Sequence, residues 1–289
     1  MSKLLFEINK LHCFYKASKV PVLEINDFNI YSGERVFIIG QSGVGKSTIL
    51  ESLGLMNNTI NNKNKDLNKK NLNATFNFKD ESFLNIWDKG EENLRKKRNK
   101  NFSFIFQSNN LFKSMSGYQN IISGSLIGYY DDINKIKSKA AHIVRDLLPD
   151  LNLKDGKDFD IVKMSGGQRQ RVSFARAIIT GKDILFADEP TGNLDWYNAD
   201  KLMKYLDEQL GEDRTAVVVT HDIEIALNFA TKIIFIDKVQ KNQDGVPHFF
   251  GRISNQTIYK KQDDKWHNQD NIMGKSAIRD ELRNKFLPK

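Results

Sequence analysis

Cysteine is nearly absent: Cys13 is the only one in 289 residues. No disulfide can form within the chain, and a thiolate metal cluster is excluded. A free cysteine of this kind ordinarily behaves as a small buried hydrophobe, so packing is its expected role. Long hydrophobic runs are also missing. The longest, such as Val36 to Ile39 and Ala216 to Val219, are strand-sized, far short of the roughly 20 residues a membrane helix requires. Any membrane contact is therefore expected through another protein. The N-terminal stretch MSKLLFEINKLHCFYK has no apolar segment of signal-peptide length and no small-residue cleavage pattern. No export signal is read there, and a cytoplasmic location is expected.

What is present is the balance of a water-soluble globular protein, with 39% hydrophobic and 28% charged residues. The length allows one large α/β domain or two lobes, enough for an enzyme. The net charge of +8 suits a nucleic acid, an anionic membrane surface or a nucleotide equally, so it does not discriminate among them. Its densest run, Arg95-Lys96-Lys97-Arg98 with Lys100, lacks the interleaved aromatics that base stacking needs and is expected to be a solvated helix face.

From Phe6 to Ile39, short apolar segments are broken by turn residues such as Ser32-Gly33-Glu34. This pattern predicts an antiparallel β region feeding a buried strand, Arg35 to Ile39. That strand runs into Gly40 and then a helix from about Lys46 to Met56. Residues 57–79 hold nine Asn and five Lys with hardly a consecutive apolar pair, and are expected to form a mobile or weakly ordered insertion. A strand at Phe102 to Phe106 is followed by helical periodicity at Tyr118 to Ile127, Ile133 to Leu148 and Gln168 to Thr180, which predicts a helical lobe at about 108–181. Strands at Ile184 to Ala187, Ala216 to Val219 and Ile233 to Ile236, with a helix near Tyr197 to Leu210, imply a parallel sheet. The main domain is taken as 1–240. Residues 241–289 read as a polar extension with a hairpin turn at Asp244-Gly245 and a short helix near Ala277 to Phe286, either docked on a partner or solvated.

Chemistry concentrates at three places. Gly40-Gln41-Ser42-Gly43-Val44-Gly45-Lys46-Ser47-Thr48 fits the G-x-x-x-x-G-K-[ST] phosphate loop between a predicted strand and helix. Small residues there let backbone N–H groups converge on phosphate oxygens at the positive end of the helix. Lys46 is expected to reach the β- and γ-phosphates and Ser47 a magnesium ion. The strand Ile184 to Ala187 ends in Asp188 and Glu189, at the sheet edge where the phosphate loop also emerges. Asp188 is expected to hold magnesium through water, and Glu189 to orient and deprotonate the attacking water. Ser165-Gly166-Gly167-Gln168, opening a helix, is a second place where amides and a hydroxyl can grip an anion.

Two phosphate grips in one chain call for an explanation. Met164-Ser165-Gly166-Gly167-Gln168 resembles the signature of ATP-binding-cassette (ABC) proteins. The resemblance covers about residues 4–237 and implies the fold of their nucleotide-binding domain: α/β, a P-loop NTPase core with a parallel sheet, an N-terminal antiparallel β region and an inserted helical subdomain. It also implies that two cassettes stack head to tail, with each ATP between the phosphate loop of one and the signature of the other. Gln107 resembles the family's Q-loop glutamine, a magnesium sensor that relays motion. Thr191-Gly192-Asn193-Leu194-Asp195 resembles its D-loop, in which Asp195 would couple the two sites. His221 resembles its switch histidine, which would bond the γ-phosphate and help fix Glu189 and the water. Adenine would stack on Tyr15, with Phe14 as the alternative.

Glu189-Pro190-Thr191-Gly192-Asn193-Leu194-Asp195 is similar to the subgroup of lipoprotein-release, macrolide-export and cell-division cassettes typified by LolD, MacB and FtsE. The implied partners are a second copy or a paralogous cassette, and an integral-membrane permease or FtsX/MacB-like subunit that holds the cassette on the inner face of the membrane. ATP and Mg²⁺ are the implied cofactors. The expected function is ATP hydrolysis that drives export, lipoprotein release or mechanotransmission. The alternative is a regulatory, FtsE-like ATPase gating a periplasmic or division apparatus. Nucleic-acid work is disfavoured, because the chain has neither the very long coiled-coil insertion of repair relatives nor the two cassettes of translation relatives.

Overall fold

A computed structural model describes residues 2–15, 18–60, 69–126, 132–149, 160–243, 246–269 and 271–287. In β1 (Leu4–Cys13) and β2 (Leu23–Tyr31) apolar and polar residues alternate, as in a strand pair with one face against the core. They pair antiparallel with Phe6 opposite Ile30 and Cys13 opposite Leu23. β3 (Arg35–Gly40) is buried along its whole length, which is why its apolar run is continuous. It is central to a parallel core with β6 (Phe102–Ile105), β7 (Ile184–Asp188), β8 (Thr215–Val219) and the start of β9 (Lys232–Gln243), in the order β9-β3-β8-β7-β6. The expected parallel core with antiparallel N-terminal strands is thus present.

Strand alternation divides the core into two clusters. Val36, Ile38, Ile184 and Phe186 face one side, with α1 (Lys46–Leu53) and the N-terminal strands. Phe37, Ile39, Leu185 and Ala187 face the other. On that side lie α3 (Gly117–Leu126), α4 (Ile133–Leu147), α5 (Gly166–Ile178), α6 (Trp196–Leu210) and α7 (Ile223–Phe229). Among the described residues no helix is long and apolar enough to cross a membrane. Cys13 is fully buried, and burial pushes its thiol up to about 11, in keeping with a packing role.

Two sequence expectations need correction. The first is the insertion at 57–79. Residues 61–68 lie outside the described residues, but Thr75–Phe78 forms β4, which pairs with β1 (Phe6 opposite Phe78, Ile8 opposite Phe76) and is followed by β5 (Glu81–Ser82). The alternation Phe76-Asn77-Phe78 is the signal that the Asn-rich composition masks. Both rings are buried beside Phe6 and Phe83, with Phe76 edge-on to Phe83 at 5.5 Å between centroids. The basic run falls on α2 (Glu91–Asn101), where Lys96 pairs with Glu92, Lys97 with Glu81, and Arg98 with Glu91. Much of its charge is therefore met by carboxylates.

The second correction concerns the polar extension. The boundary at residue 240 falls inside β9, which runs on to pair antiparallel with β10 (Val246–Ile253). The turn residues Asp244 and Gly245 lie outside the described residues. β10 pairs parallel with β2 and so joins the antiparallel region to the core. β11 (Ile258–Gln262) pairs with the start of β9, and β12 (Lys265–Asn268) and β13 (Asn271–Met273) extend that edge. α8 (Lys275–Phe286) then packs back on α7. Tyr259, Trp266, Ile278 and Leu282 are all buried in the main core. Trp266 and Leu282 have polar neighbours on both sides and Tyr259 and Ile278 on one, so local composition reads as polar although tertiary packing removes each from water.

The Phe76 site gives a direct check. Phe76→Ala should lower unfolding stability by about 3–5 kcal/mol, as expected for a buried aromatic truncated to a cavity, measured by urea denaturation against the parent chain.

Candidate active site at the C-terminal edge of the sheet

β3, β8, β7 and β6 run in one direction, so the loops that follow them emerge at one edge. Pairing of Ile38 with Val219 and of Val219 with Asp188 brings the segment after Gly40, the segment at His221 and the carboxylates Asp188 and Glu189 side by side. Ile105 is paired with Ala187, which puts Gln107 just past the end of the neighbouring strand, exposed.

The phosphate loop turns through Gly43 and Gly45 at φ 77° and 95°, the left-handed region that favours glycine. α1 begins directly at Lys46 with no side-chain cap, so its first N–H groups are open to an anion. The Lys46 ammonium donates to the carbonyls of Gly40 and Gln41 at 2.9 and 2.8 Å. Burial lowers its pKa, opposed by the nearby charges of Glu189 and Asp188. Burial raises the Asp188 carboxyl above its ordinary value, opposed first by a hydrogen bond from Ser47. β10 closes the loop's flank: a Cβ on Gly251 would lie 1.9 Å from the Val44 carbonyl oxygen, so only glycine fits there.

Glu189 sits at φ 48°, a conformation that costs a non-glycine residue of order 1–3 kcal/mol. Three backbone-directed contacts hold it there. Its N–H donates to Val219 O at 2.9 Å, and its carbonyl accepts from Gly192 N at 3.2 Å and from Gln170 Nε2 at 3.1 Å. So fixed, the carboxylate Oε2 lies 2.8 Å from His221 Nδ1. The carboxylate side chain is 19% exposed and the imidazole 66%, so the histidine faces outward while the carboxylate is largely enclosed.

Of the two aromatics weighed for adenine, Phe14 is 1% exposed and Tyr15 45%. Phe14 is a core residue; Tyr15 remains at the surface with its hydroxyl 2.7 Å from Thr48 Oγ1. Ser165 caps α5 reciprocally: its hydroxyl accepts from Gln168 N at 3.2 Å while its own N–H donates to Gln168 Oε1 at 2.9 Å. Gly166 is open to solvent-side space, with nothing within 4 Å of a built Cβ. Among the described residues no hydrogen bond joins residues 165–168 to residues 40–48. Asp195 caps α6 by accepting from Asn198 N at 2.9 Å.

The structure thus gathers Lys46, Ser47, Asp188, Glu189 and His221, and leaves the 165–168 grip as a separate surface. It also adds residues that the sequence reading did not single out. Gln170, 1% exposed, donates to Glu189 O and accepts from Asn193 N, both at 3.1 Å. Ser173 and Arg176 donate to the carbonyls of Asn109 and Asn110, just past Gln107. Their signal was polar residues at i, i+3 and i+6, a helical spacing that puts them along one side of the helix.

The ABC transporter family model matches residues 23–192, more than half of the chain. The chain belongs to the ABC transporter family. As an ABC ATPase it converts ATP and water to ADP and phosphate. The lipoprotein-releasing system ATP-binding protein LolD of Wigglesworthia glossinidia brevipalpis is 37% identical over 219 residues, covering 73% of this chain and 85% of LolD. The macrolide export ATP-binding/permease protein MacB of Shewanella sp. (strain W3-18-1) is 34% identical over 239 residues, covering 82% of this chain. That match is 34% of MacB, so the chain spans about a third of that protein's length. A dimeric structure of the ATP-binding cassette MJ0796, in a post-hydrolysis state bound to ADP and Pi, aligns with TM-score 0.66 and 26% identity over 86% of this chain and 97% of that one.

The donor set of the ABC site also fits a magnesium ion. A hydroxyl from Ser47 and a carboxylate from Asp188 meet at a hydrogen bond, hard oxygen donors of the kind Mg²⁺ takes along with phosphate oxygens and water.

Gln170→Leu should leave the Asn193 N–H without this partner and the Glu189 carbonyl with Gly192 N alone, destabilising the fold by about 1–3 kcal/mol. Misplacement of Glu189 should lower the ATPase rate roughly 10- to 100-fold, read in a phosphate-release assay beside a thermal melt.

Proposed function

We propose that this chain is the ATP-hydrolysing subunit of a LolD- or MacB-like membrane complex, in which two cassettes close head to tail around two ATP molecules. The observation that carries the mechanism is the 2.8 Å contact between Glu189 and His221, formed beside Lys46 and the Ser47–Asp188 pair.

In this reading the N–H groups of residues 43–48 and the Lys46 ammonium bind the β- and γ-phosphates. Lys46 exchanges its bonds to its own loop for phosphate oxygens. Tyr15 stacks on adenine. Ser47, Asp188 and Gln107 would hold Mg²⁺, which would neutralise charge on the phosphates. Glu189 orients a water in line with the γ-phosphorus and accepts its proton as the new P–O bond forms and the bond to the β-phosphate oxygen breaks. His221 keeps the Glu189 carboxylate in place and faces the γ-phosphate. Ser165 to Gln168 of one copy cover the ATP held by Lys46 of the other, and Asp195 sits at the junction between the two sites. The separation of the 165–168 grip from the 40–48 loop within one chain supports that division of labour.

Closure with ATP and opening after product release supply the motion that the α3–α5 lobe passes to a membrane partner. The similarity to LolD and MacB supports a permease-type partner and a peripheral position on the inner face of the membrane.

Glu189→Gln should lower hydrolysis by at least about 100-fold and accumulate an ATP-dependent dimer on size-exclusion chromatography; a monomer under saturating ATP would contradict the sandwich. A mixture of Lys46→Ala chains with Ser165→Arg chains tests sharing between copies. Each parent alone should be inactive, while the mixed dimer contains one intact composite site and recovers activity. No recovery on mixing would mean that Lys46 and Ser165 do not act on the same ATP from different chains.

A further inference from the structure

α8 carries none of the phosphate-loop, carboxylate or histidine residues, yet it contacts both the phosphate loop at Gln41 and α7, the helix that follows His221. It runs antiparallel to α7: Lys275 donates to Asn228 at 2.5 Å near the far end of α7, and Arg279 makes a two-pronged contact with Glu224 at 2.6 and 2.8 Å near its start. Arg283 adds a third contact to Glu224 at 3.4 Å. One turn later α8 reaches the phosphate loop. Gln41 Nε2 donates to the Phe286 carbonyl at 3.3 Å, Phe286 packs edge-on against Phe235 with centroids 5.4 Å apart, and Lys285 lies 3.4 Å from Asp237. Phe235 and Asp237 flank Ile236, the β9 partner of Gly40.

The spacing explains how one short helix does this. Ile278 and Leu282 lie one turn apart on a buried stripe and are 0% exposed, so they fasten α8 to the core. Residues 275, 279 and 283, at i, i+4 and i+8, form the adjoining polar stripe along α7. α8 rises about 16 Å from Lys275 to Phe286, enough to span from Asn228 to the phosphate loop.

His221 stands immediately before the α7 cap. Asp222 accepts from Ile225 N at 3.0 Å, and its own N–H donates to Thr220 Oγ1 at 3.1 Å. A shift of the first turn of α7 therefore moves the His221 backbone directly. Similarly, the backbone of Gln41 is joined to Lys46, whose ammonium donates to the Gln41 carbonyl at 2.8 Å.

We propose that α8 is a brace that positions the active site from behind: Arg279, through Glu224, sets the first turn of α7 and with it His221, while the end of α8 steadies Gln41 in the phosphate loop. Arg279 is a positioning residue in this scheme; it touches neither nucleotide nor water. The inference rests on the role given to His221 above, and the test keeps the two separable.

The experiment uses the full-length chain, with Arg279→Glu and the charge-swapped pair Arg279→Glu with Glu224→Arg. ATPase kinetics, thermal melts and the histidine ring resonances of ¹³C-histidine-labelled protein are recorded, with the His221 signal assigned from His221→Ala. The expected result for Arg279→Glu is a kcat lowered at least fivefold, a KM for ATP within twofold of the parent and a displaced His221 resonance, with the swapped pair restoring both kcat and resonance. Unchanged kcat and an unmoved His221 signal in Arg279→Glu would overturn the proposal. So would a swapped pair that regains the parent's melting temperature but not its kcat and resonance, since that is the pattern of a purely structural contact. If His221→Ala itself hydrolyses ATP normally, the role given to His221 fails, and the resonance in Arg279→Glu still decides whether α8 positions that residue.

Discussion

The register in which Ile38 lies beside Val219, and Val219 beside Asp188, is the constraint on which the rest of this cassette depends. Parallel strands deliver their following loops to one edge, and here those loops carry a lysine, two carboxylates and a histidine. A slip of one residue in β7 would turn Asp188 from the edge toward an apolar face and reverse every side chain on that strand. The register is defended on both faces, because alternate residues of β3 and β7 enter two separate buried clusters. Function and core packing therefore rest on the same strand pairings.

At that edge, burial and charge are set against each other. Removal from water disfavours both the Lys46 ammonium and the Asp188 carboxylate, while their mutual attraction favours both. Two carboxylates face one ammonium, and the first turn of α1 carries no side-chain cap, an arrangement suited to a ligand that brings negative charge to Lys46. The left-handed backbone at Glu189 belongs to the same economy of strain. It is kept by bonds from Val219, Gly192 and Gln170, and it turns the carboxylate to within 2.8 Å of His221.

α5 connects this centre to two other regions. Ser165 at its start lies on the surface, Gln170 one turn on holds the loop of Glu189 and Asn193, and Ser173 and Arg176 hold the carbonyls of Asn109 and Asn110. This helix of 13 residues is about 20 Å long. The segment at Ser165, the carboxylate loop and the segment following Gln107 are thereby all fastened to one helix. α8 plays a comparable part on the opposite flank, between α7 and Gln41.

Much of this was legible in the sequence because the chemistry is carried by short contiguous motifs. The phosphate loop, the Asp188-Glu189 pair at a strand end and the Ser165 grip are local in the chain, and the strand-helix alternation around them already implied a parallel sheet. Other features are not local and were missed. Phe76 and Phe78 look unremarkable in an Asn-rich stretch until β4 lies beside β1 and stacks them near Phe6. The C-terminal residues read as polar because Tyr259, Trp266, Ile278 and Leu282 are scattered, and only the return of that chain onto β9 and α7 buries them together. The choice of Tyr15 over Phe14 as the surface aromatic, and the tie of Arg279 to Glu224 across 55 residues, were likewise decided by tertiary structure. The sequence by itself determined which groups can do the chemistry, since that depends on residue type and short spacing. Which side chains meet, and which are withdrawn from water, was decided only by the fold, since burial and contact depend on segments distant along the chain.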